Sequence, residues 1–250
     1  MTNQNDIFKE EIQDSFVFHI PHSNTLIPDY TGFVLEQIDE QIQLLTDFAT
    51  EDIFSINNLD KIVFPYSRIF CDVERLPDAD EPMFKQGRGF FYTNSDNGAI
   101  LREDINGIKD KVYKEFYLKH HKLFEDMVQS KLDTVGFVNI VDCHSFANTP
   151  FDSDLIKDQN RPDICIGTDE FHTPKFLVDI ISQKCIEHGY SFQINNPYSG
   201  TIVPLKFYKK NNLVNSVMIE INRDLYMNNS VVDYNAVQQL NSFVKSIFSI

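Results

Sequence analysis

Two histidines of this sequence stand at positions where metal or acid–base chemistry is often found, directly after apolar runs. His22 follows the run "FVFHI" and precedes Ser23, and His144 follows "NIVDC" and precedes Ser145. Imidazole binds zinc and also exchanges protons near neutral pH. If the two runs form neighbouring strands, both rings lie at one edge of a sheet, within reach of a common metal ion.

A metal site with two histidines needs a third protein ligand, which is commonly a carboxylate. The residues alone leave the choice of that carboxylate open among four acids. Asp142 also has a second role open to it, because a carboxylate can orient a histidine by accepting its other N–H. The four acids are Asp47, Asp72, Glu74 and Asp142.

Other charged residues interrupt or end apolar segments. Glu220 lies inside the strand-like run "VMIEI", where an unpaired buried carboxylate would be costly. It either pairs with an arginine or acts as a general base whose pKa is set by burial and a nearby cation. Two roles are equally compatible with the positions of Arg68 and Arg75 near Asp72. The two arginines form internal ion pairs with Asp72, or they bind a substrate carboxylate.

Strand-like and helix-like patterns alternate along the chain. The short, almost continuously apolar runs indicate strands that are buried on both faces. Their alternation with helical patterns predicts an α/β fold, with a mostly parallel or mixed central sheet and helices on both faces. Functional sites in such sheets gather at the carboxyl ends of strands. The predicted strands are 16–20, 61–73, 137–143, 163–168, 190–195 and 216–222, and the predicted helices are 34–58, 103–132, 173–189 and 231–249.

Length and composition favour one domain. The chain has 250 residues, of which 42% are hydrophobic, and this is enough for one large core over residues 1–250. Residues 74–102 form the longest stretch without clear periodicity and are rich in Pro, Gly, Asp and Asn. Long loops in compact domains are usually functional or disordered, and the aromatic "GRGFFY" within this one favours a site loop or lid.

The net charge of the chain and its lack of targeting signals limit the partners and the cellular location that we expect. The net charge of −15 argues against binding to nucleic acid or to anionic membranes, both of which need clustered Lys and Arg. No stretch of 18 apolar residues predicts a membrane span, and the N-terminus has no signal-peptide pattern. We therefore expect a cytoplasmic protein. Its four cysteines, which form no CxxC pair, are expected to be reduced core residues.

Eight stretches, in order between about residues 18 and 226, resemble the N-formylglutamate amidohydrolase family. The resemblance implies a fold similar to that of zinc-dependent exopeptidases, a three-layer α/β sandwich with a metal ion at the strand ends. It also implies hydrolysis of a linear amide C–N bond. The stretches are "PHSNTLIP", "LLTDF", "SRIFCDVERLPD", "YLKHHKLF", "VDCHS", "ICIGT", "NNPYSGTIV" and "IEINRDLY".

The same resemblance implies one divalent metal ion, with zinc as the expected ion. Its ligands would be His22, His144 and Asp47, which belongs to the motif "LLTDF". Glu74 is the less favoured third ligand, because it stands where the family more often has Asn in a D-x-N-R pattern. A ligand that every member needs is not expected to vary in this way.

Further roles follow from matching positions. Glu220 matches the strand-end glutamate that exopeptidase-like enzymes use as general base. Arg75 matches the arginine of D-x-N-R, which is expected to hold a substrate carboxylate. Arg68 and Arg88 are further candidates for substrate binding or for stabilising an oxyanion. Glu74 departs from the family pattern, and its charge either weakens the binding of an acidic substrate or selects a ligand with a positive group.

The expected function is a metal-dependent amidohydrolase that cleaves an N-acyl amino acid, similar to N-formylglutamate, with metal-activated water. Two alternatives stay open. One is a non-catalytic binding protein that retains the fold, and the other is a peptidase or deacylase with a different substrate. The expected partner is a small-molecule N-acyl amino acid, and the sequence does not indicate an oligomeric state.

Overall fold

The computed structural model describes residues 13–154 and 156–248. A six-stranded sheet lies at its centre, in the order β2–β1–β3–β6–β4–β5. The strands are β1 (Phe16–Ile20), β2 (Asp60–Val63), β3 (Val138–Phe146), β4 (Ile164–Gly167), β5 (Phe192–Ile194) and β6 (Val214–Asn222), and a separate pair is formed by β7 (Met227–Asn228) and β8 (Val231–Val232).

The strand directions place the carboxyl ends of β1, β3 and β6 at the same edge of the sheet. β2, β1, β3 and β6 are mutually parallel, whereas β4 runs antiparallel to β6 and carries β5 parallel to itself. The sheet is therefore mixed and mostly parallel, which confirms the predicted fold class. Because β1, β3 and β6 are adjacent and parallel, the residues at their carboxyl ends meet at one edge of the sheet.

Helices cover both faces of the sheet. They are α1 (Ile38–Leu45), α2 (Thr50–Ile53), α3 (Ile108–Val112), α4 (Leu118–Thr134), α5 (Lys175–His188) and α6 (Tyr234–Phe248), and a π-helical turn, Tyr113–Tyr117, joins α3 to α4. Side chains alternate between the faces along each strand. Thus Phe18 packs with α2, α5 and α6 in one apolar cluster, while Val17 packs with α4 in another.

Two predicted elements differ in kind from the observed ones, whereas others differ in their bounds; the predicted helix 231–249, for example, begins at Tyr234, after β8. The predicted strand 61–73 ends at Val63, because Ile20 is the last residue of β1 with which β2 can pair. The apolar residues that follow are buried in a loop-rich cluster instead, where Ile69 and Phe70 are completely inaccessible. The predicted helix 34–58 divides into α1 and α2. At the break the Asp47 N–H donates to the His22 carbonyl oxygen, so Asp47 lies beside His22.

All four cysteines are buried and free, as expected for reduced core residues. Among the described residues, no helix combines the length and the apolar character that crossing a bilayer requires.

Phe124 of α4 is central to the cluster between α4 and the sheet, and its truncation should destabilise the protein. The ring is inaccessible to solvent and stacks on His19 with 4.7 Å between ring centroids. Phe124→Ala should lower the free energy of unfolding by about 3–5 kcal/mol, because it leaves a cavity. Urea denaturation measures the change. The matched control is Leu123→Ala at the neighbouring helix position, where the side chain is 63% exposed. Equal losses in the two variants would contradict this account of the packing.

Candidate active site

The two His–Ser segments and Glu220 meet at one edge of the sheet. His22 lies two residues beyond β1, and His144 lies near the end of β3. Glu220 of β6 pairs in register with His144. All three side chains are at most 8% exposed. The parallel order of the strands therefore brings these three residues together from separate parts of the sequence.

His22 and His144 are close enough to share a ligand. Their ring centroids are 5.1 Å apart, and Glu74 lies between the ring nitrogens. A Glu74 carboxylate oxygen is 3.1 Å from His144 Nε2 and 3.6 Å from His22 Nδ1. One ligand atom from each of the three residues lies within 4.8 Å of the others, so the group could hold a metal ion.

Two further carboxylates bind the opposite nitrogens of the same rings. Asp72 Oδ1 lies 2.9 Å from His22 Nε2, and Asp47 Oδ2 lies 3.1 Å from His144 Nδ1. Carboxylates in this position fix the orientation and tautomer of metal-binding histidines. The arrangement leaves His22 Nδ1 and His144 Nε2 directed towards Glu74.

Next to the metal-binding group, two buried polar atoms have no hydrogen-bond partner among the described residues, namely His22 Nδ1 and Glu220 Oε2. Such atoms are rare in folded proteins and often mark a bound water molecule or ion. The orphaned His22 Nδ1 belongs to the set of His22, His144 and Glu74, whose nitrogen and oxygen donors are those that zinc accepts. The residues present therefore fit a divalent metal ion.

The site also carries an excess of carboxylates that affects its proton equilibria. Burial opposes the charged form of His144, but Glu74 and Asp142 outweigh burial and hold its pKa well above the ordinary 6.5. Burial likewise opposes the charged form of Asp47. Hydrogen bonds to His144 and His22 nevertheless hold its pKa well below the usual value. Positive charge is thus stabilised between these groups, as a cation site requires.

Glu220 differs from the other carboxylates of the site. Burial raises its pKa to about 7, His144 opposes the increase, and Asp47 and Glu74 add to it. A carboxylate whose pKa lies near neutrality can accept and return a proton at physiological pH. No ion pair joins Glu220 to an arginine among the described residues. Of the two predicted roles, an arginine pair or a general base, the geometry therefore favours the general base.

His19 and Asp142 form a neighbouring group. His19 Nδ1 lies 3.2 Å from Asp142 Oδ1, and its Nε2 lies 3.0 Å from His120 Nε2. Together with Glu74, these two residues are a second set whose atoms are within metal-binding reach. His19 is inaccessible to solvent and is thus part of the core. Asp142 lies 3.1 Å from His144 Nε2.

The three predicted arginines all line the cavity above these groups. Arg68 donates from Nε and Nη2 to Asp72, at 3.2 and 2.9 Å. Arg75 Nη1 donates to Glu81 at 3.2 Å. Arg88 pairs with Asp96 at 3.1 Å and also contacts Ser153. The predicted ion pairs with Asp72 are therefore present for Arg68, at 2.9 Å, and for Arg75, whose Nε lies 3.8 Å from Asp72 Oδ2.

Two contributors to the site were not singled out from the sequence. Arg223 donates to Asp47 Oδ1 at 2.8 Å and to Ser145 Oγ at 3.1 Å. Tyr92 donates its hydroxyl to Asp72 Oδ2 at 2.6 Å. Arg223 follows Glu220 by three residues at the end of the same strand, which is a usable signal. Tyr92 is the last residue of "GRGFFY", the stretch whose aromatic content favoured a site loop, although the tyrosine itself was not named.

The cavity above the metal-binding group has a volume of about 590 Å³, within the usual range for small-molecule sites. Residues 74–88 form part of its wall, as do residues 197–205. The second segment packs closely on β4, where a Cβ on Gly167 would lie 2.4 Å from the Gly200 carbonyl oxygen. Glycine at position 167 thus permits this loop to approach the sheet beside the site.

Two solved structures share this fold. This chain is similar to the N-formylglutamate amidohydrolase from Ralstonia eutropha JMP134, with a TM-score of 0.80 and 20% sequence identity over 94% of this chain and 91% of that one. It is also similar to the gene product Atu2144 from Agrobacterium tumefaciens, with a TM-score of 0.66 and 14% identity over 94% and 89% of the two chains. At these identities the likeness shows the fold.

Sequence comparison gives two further findings. The human DNA excision repair protein ERCC-6-like is 22% identical over 138 residues, which cover 54% of this chain but only 11% of that protein. The family model of N-formylglutamate amidohydrolase matches residues 14–227. That range contains His22, His144 and Glu220, together with the loop that carries Glu74. The resemblance of the eight motifs is thereby confirmed, and the chain belongs to the N-formylglutamate amidohydrolase family.

Proposed function

We propose that this protein is a metal-dependent amidohydrolase that cleaves the amide C–N bond of an N-acyl amino acid, with a formyl group as the simplest acyl group. One observation carries the proposal. Two histidine nitrogens and a carboxylate converge on one point at the strand ends, and a buried glutamate with an unpartnered oxygen lies beside them. Membership of the family supports the same reaction class.

In this proposal His22, His144 and Glu74 hold the cation, and zinc is the expected ion. Glu74 replaces Asp47 as the third ligand, because Asp47 Oδ2 already contacts His144 Nδ1 at 3.1 Å and the Ser145 N–H at 3.2 Å. Its other oxygen accepts from Arg223. Asp47 is thereby assigned to orienting His144, a role that second carboxylates often have around zinc.

A divalent cation at this position, when bound, lowers the pKa of water towards ~7 and polarises a substrate carbonyl. Glu220 takes a proton from the attacking water as the new C–O bond forms. When the C–N bond breaks, Glu220 returns this proton to the leaving amine nitrogen. The nearly complete burial of Glu220 excludes bulk water from these transfers.

The arginines position the substrate. Arg75 has the most exposed guanidinium group of the three predicted ones, with a side chain that is 31% exposed compared with 13% for Arg68. We assign Arg75 to the substrate carboxylate. Arg68 is assigned to stabilising the developing oxyanion, and its Nη1 is not used in its described hydrogen bonds to Asp72. Arg88 is held by Asp96 and forms part of the cavity wall.

The test combines metal content with turnover. Purified protein should contain about one equivalent of zinc by elemental analysis, and it should release formate from N-formyl amino acids. Removal of the metal with a chelator should abolish this release, and added zinc should restore it. Hydrolysis that persists after complete metal removal would contradict the metal-dependent mechanism. Bound zinc without turnover of any N-acyl amino acid or short peptide would favour a binding protein.

A further inference from the structure

The cavity offers few cations to a substrate. Among the described residues that line it, the permanently positive side chains are those of four arginines, and each one already contacts a carboxylate. The pairs are Arg68 with Asp72, Arg75 with Glu81, Arg88 with Asp96, and Arg223 with Asp47. None of these guanidinium groups is therefore without a counter-charge.

Accessibility separates Arg75 from the other three arginines. Its side chain is 31% exposed, whereas the other three are between 4% and 13% exposed. Arg75 contacts Glu81 through Nη1 and Asp72 through Nε, the latter at 3.8 Å, and its Nη2 has no hydrogen bond among the described residues. It can therefore keep both contacts while Nη2 binds one carboxylate of a substrate, and the cavity provides one such position.

A second substrate carboxylate would meet an unfavourable environment. The cavity wall includes the acidic side chains of Asp142, Asp154 and Glu220, besides Glu74, whose charge the bound cation would balance. Asp154 is already neutralised by Arg161 at 2.7 Å, and Arg161 has no free charge left to offer. A carboxylate that is transferred from water to a site without a partner loses solvation that nothing replaces.

Apolar side chains from three separate loops also line the cavity, beside several hydroxyl-bearing ones. Ile156 and Leu205 line the cavity, and they are 43% and 58% exposed to solvent. Apolar surface of this kind gains free energy when a ligand covers it. The apolar contributors from the three loops are Leu76, Phe151, Ile156, Tyr198, Ile202 and Leu205.

From the single accessible arginine and the apolar wall, we infer that the substrate is an N-acyl amino acid with one carboxylate and a large apolar side chain. This inference rests on the proposed function and specifies its substrate class. Arg75 binds the α-carboxylate, and the side chain lies against the three apolar loops. A glutamate side chain, by contrast, would place its second carboxylate against this apolar wall, where the described arginines already have counter-charges.

The experiment compares kcat/KM for four probes that differ only in the side chain, namely N-formyl-L-leucine, N-formyl-L-glutamine, N-formyl-L-glutamate and N-formyl-L-lysine. N-formyl-leucine should exceed N-formylglutamate by at least about tenfold, because pockets of this kind discriminate by roughly 10–200-fold even for one methylene group. N-formylglutamine, which has the size of glutamate without its charge, should fall between them. A smaller ratio, or a preference for the glutamate or lysine compound, overturns the inference while the proposed function stands. Failure to hydrolyse any of the four contradicts both.

A charge-introducing variant provides a second measurement. Leu205→Arg adds a cation to the exposed rim of the cavity and should raise the kcat/KM ratio of N-formylglutamate to N-formyl-leucine by about tenfold. The matched control is Ile186→Arg on α5, which is 64% exposed and lies outside the cavity wall. An unchanged ratio in Leu205→Arg would show that this wall does not contact the substrate side chain, and would overturn the inference.

Discussion

Glu220→Gln is expected to lower kcat by about 10²–10⁴-fold, the usual contribution of a positioned general acid–base group. The substitution keeps the size of the side chain and removes only its ability to accept a proton. Glu220 belongs to the central strand β6 and pairs with His144 across the sheet, so the backbone should hold the new side chain in the same place. The loss should therefore be chemical and should not come from misfolding.

Two measurements make this result decisive. Zinc content should stay near that of the parent protein, because Glu220 is not among the residues that converge on the cation position. The melting temperature should also stay close to that of the parent. A control on the surface is Glu187→Gln, where the side chain is 43% exposed on α5, and this variant should keep full activity. An unchanged kcat in Glu220→Gln rules out the assigned base, and loss of zinc would make Glu220 a ligand.

The centre of the sheet could be predicted from the sequence because the central strands bury both faces. The observed bounds of β1, Phe16–Ile20, equal the predicted ones, and β3 and β6 differ from their predictions by at most three residues at either end. The predicted strand 61–73 failed after Val63 for a physical reason. Its later residues are equally apolar, but they fill a cluster formed by loops. A run of buried residues does not reveal whether its backbone pairs with another strand.

The candidate site could be predicted only in the part that depends on strand topology. His22, His144 and Glu220 lie at or near the carboxyl ends of adjacent parallel strands. The alternation of strand-like and helix-like patterns in the sequence predicts such a parallel sheet, and therefore predicts that these residues are close together. The carboxylates come instead from loops and from a break between two short helices. Their positions depend on individual contacts, such as the bond of Asp47 to Arg223. For this reason the third ligand could not be chosen from residue types and spacing.

The choice between Glu74 and Asp47 can be decided by zinc affinity. Structural zinc sites bind with about 10–16 kcal/mol from four ligands, so one ligand accounts for roughly 3–4 kcal/mol, or a factor of about 10²–10³. Loss of a carboxylate that only orients a ligand typically costs about 10–100-fold. Glu74→Gln should therefore weaken zinc binding by about 10²–10³-fold, and Asp47→Asn should weaken it by about 10–100-fold.

Competition with a chromogenic chelator at fixed pH measures both affinities on the same scale. The two variants should differ also in stability, because Asp47 is 1% exposed and neutralises the buried Arg223. Asp47→Asn leaves that charge uncompensated and should melt at a lower temperature. Glu74, which is 17% exposed, should show little change in melting of the metal-free protein. If Asp47→Asn loses more zinc affinity than Glu74→Gln while both variants remain folded, the metal rests on Asp47. The family motif would then have indicated the ligand set more accurately than the contacts around the two rings.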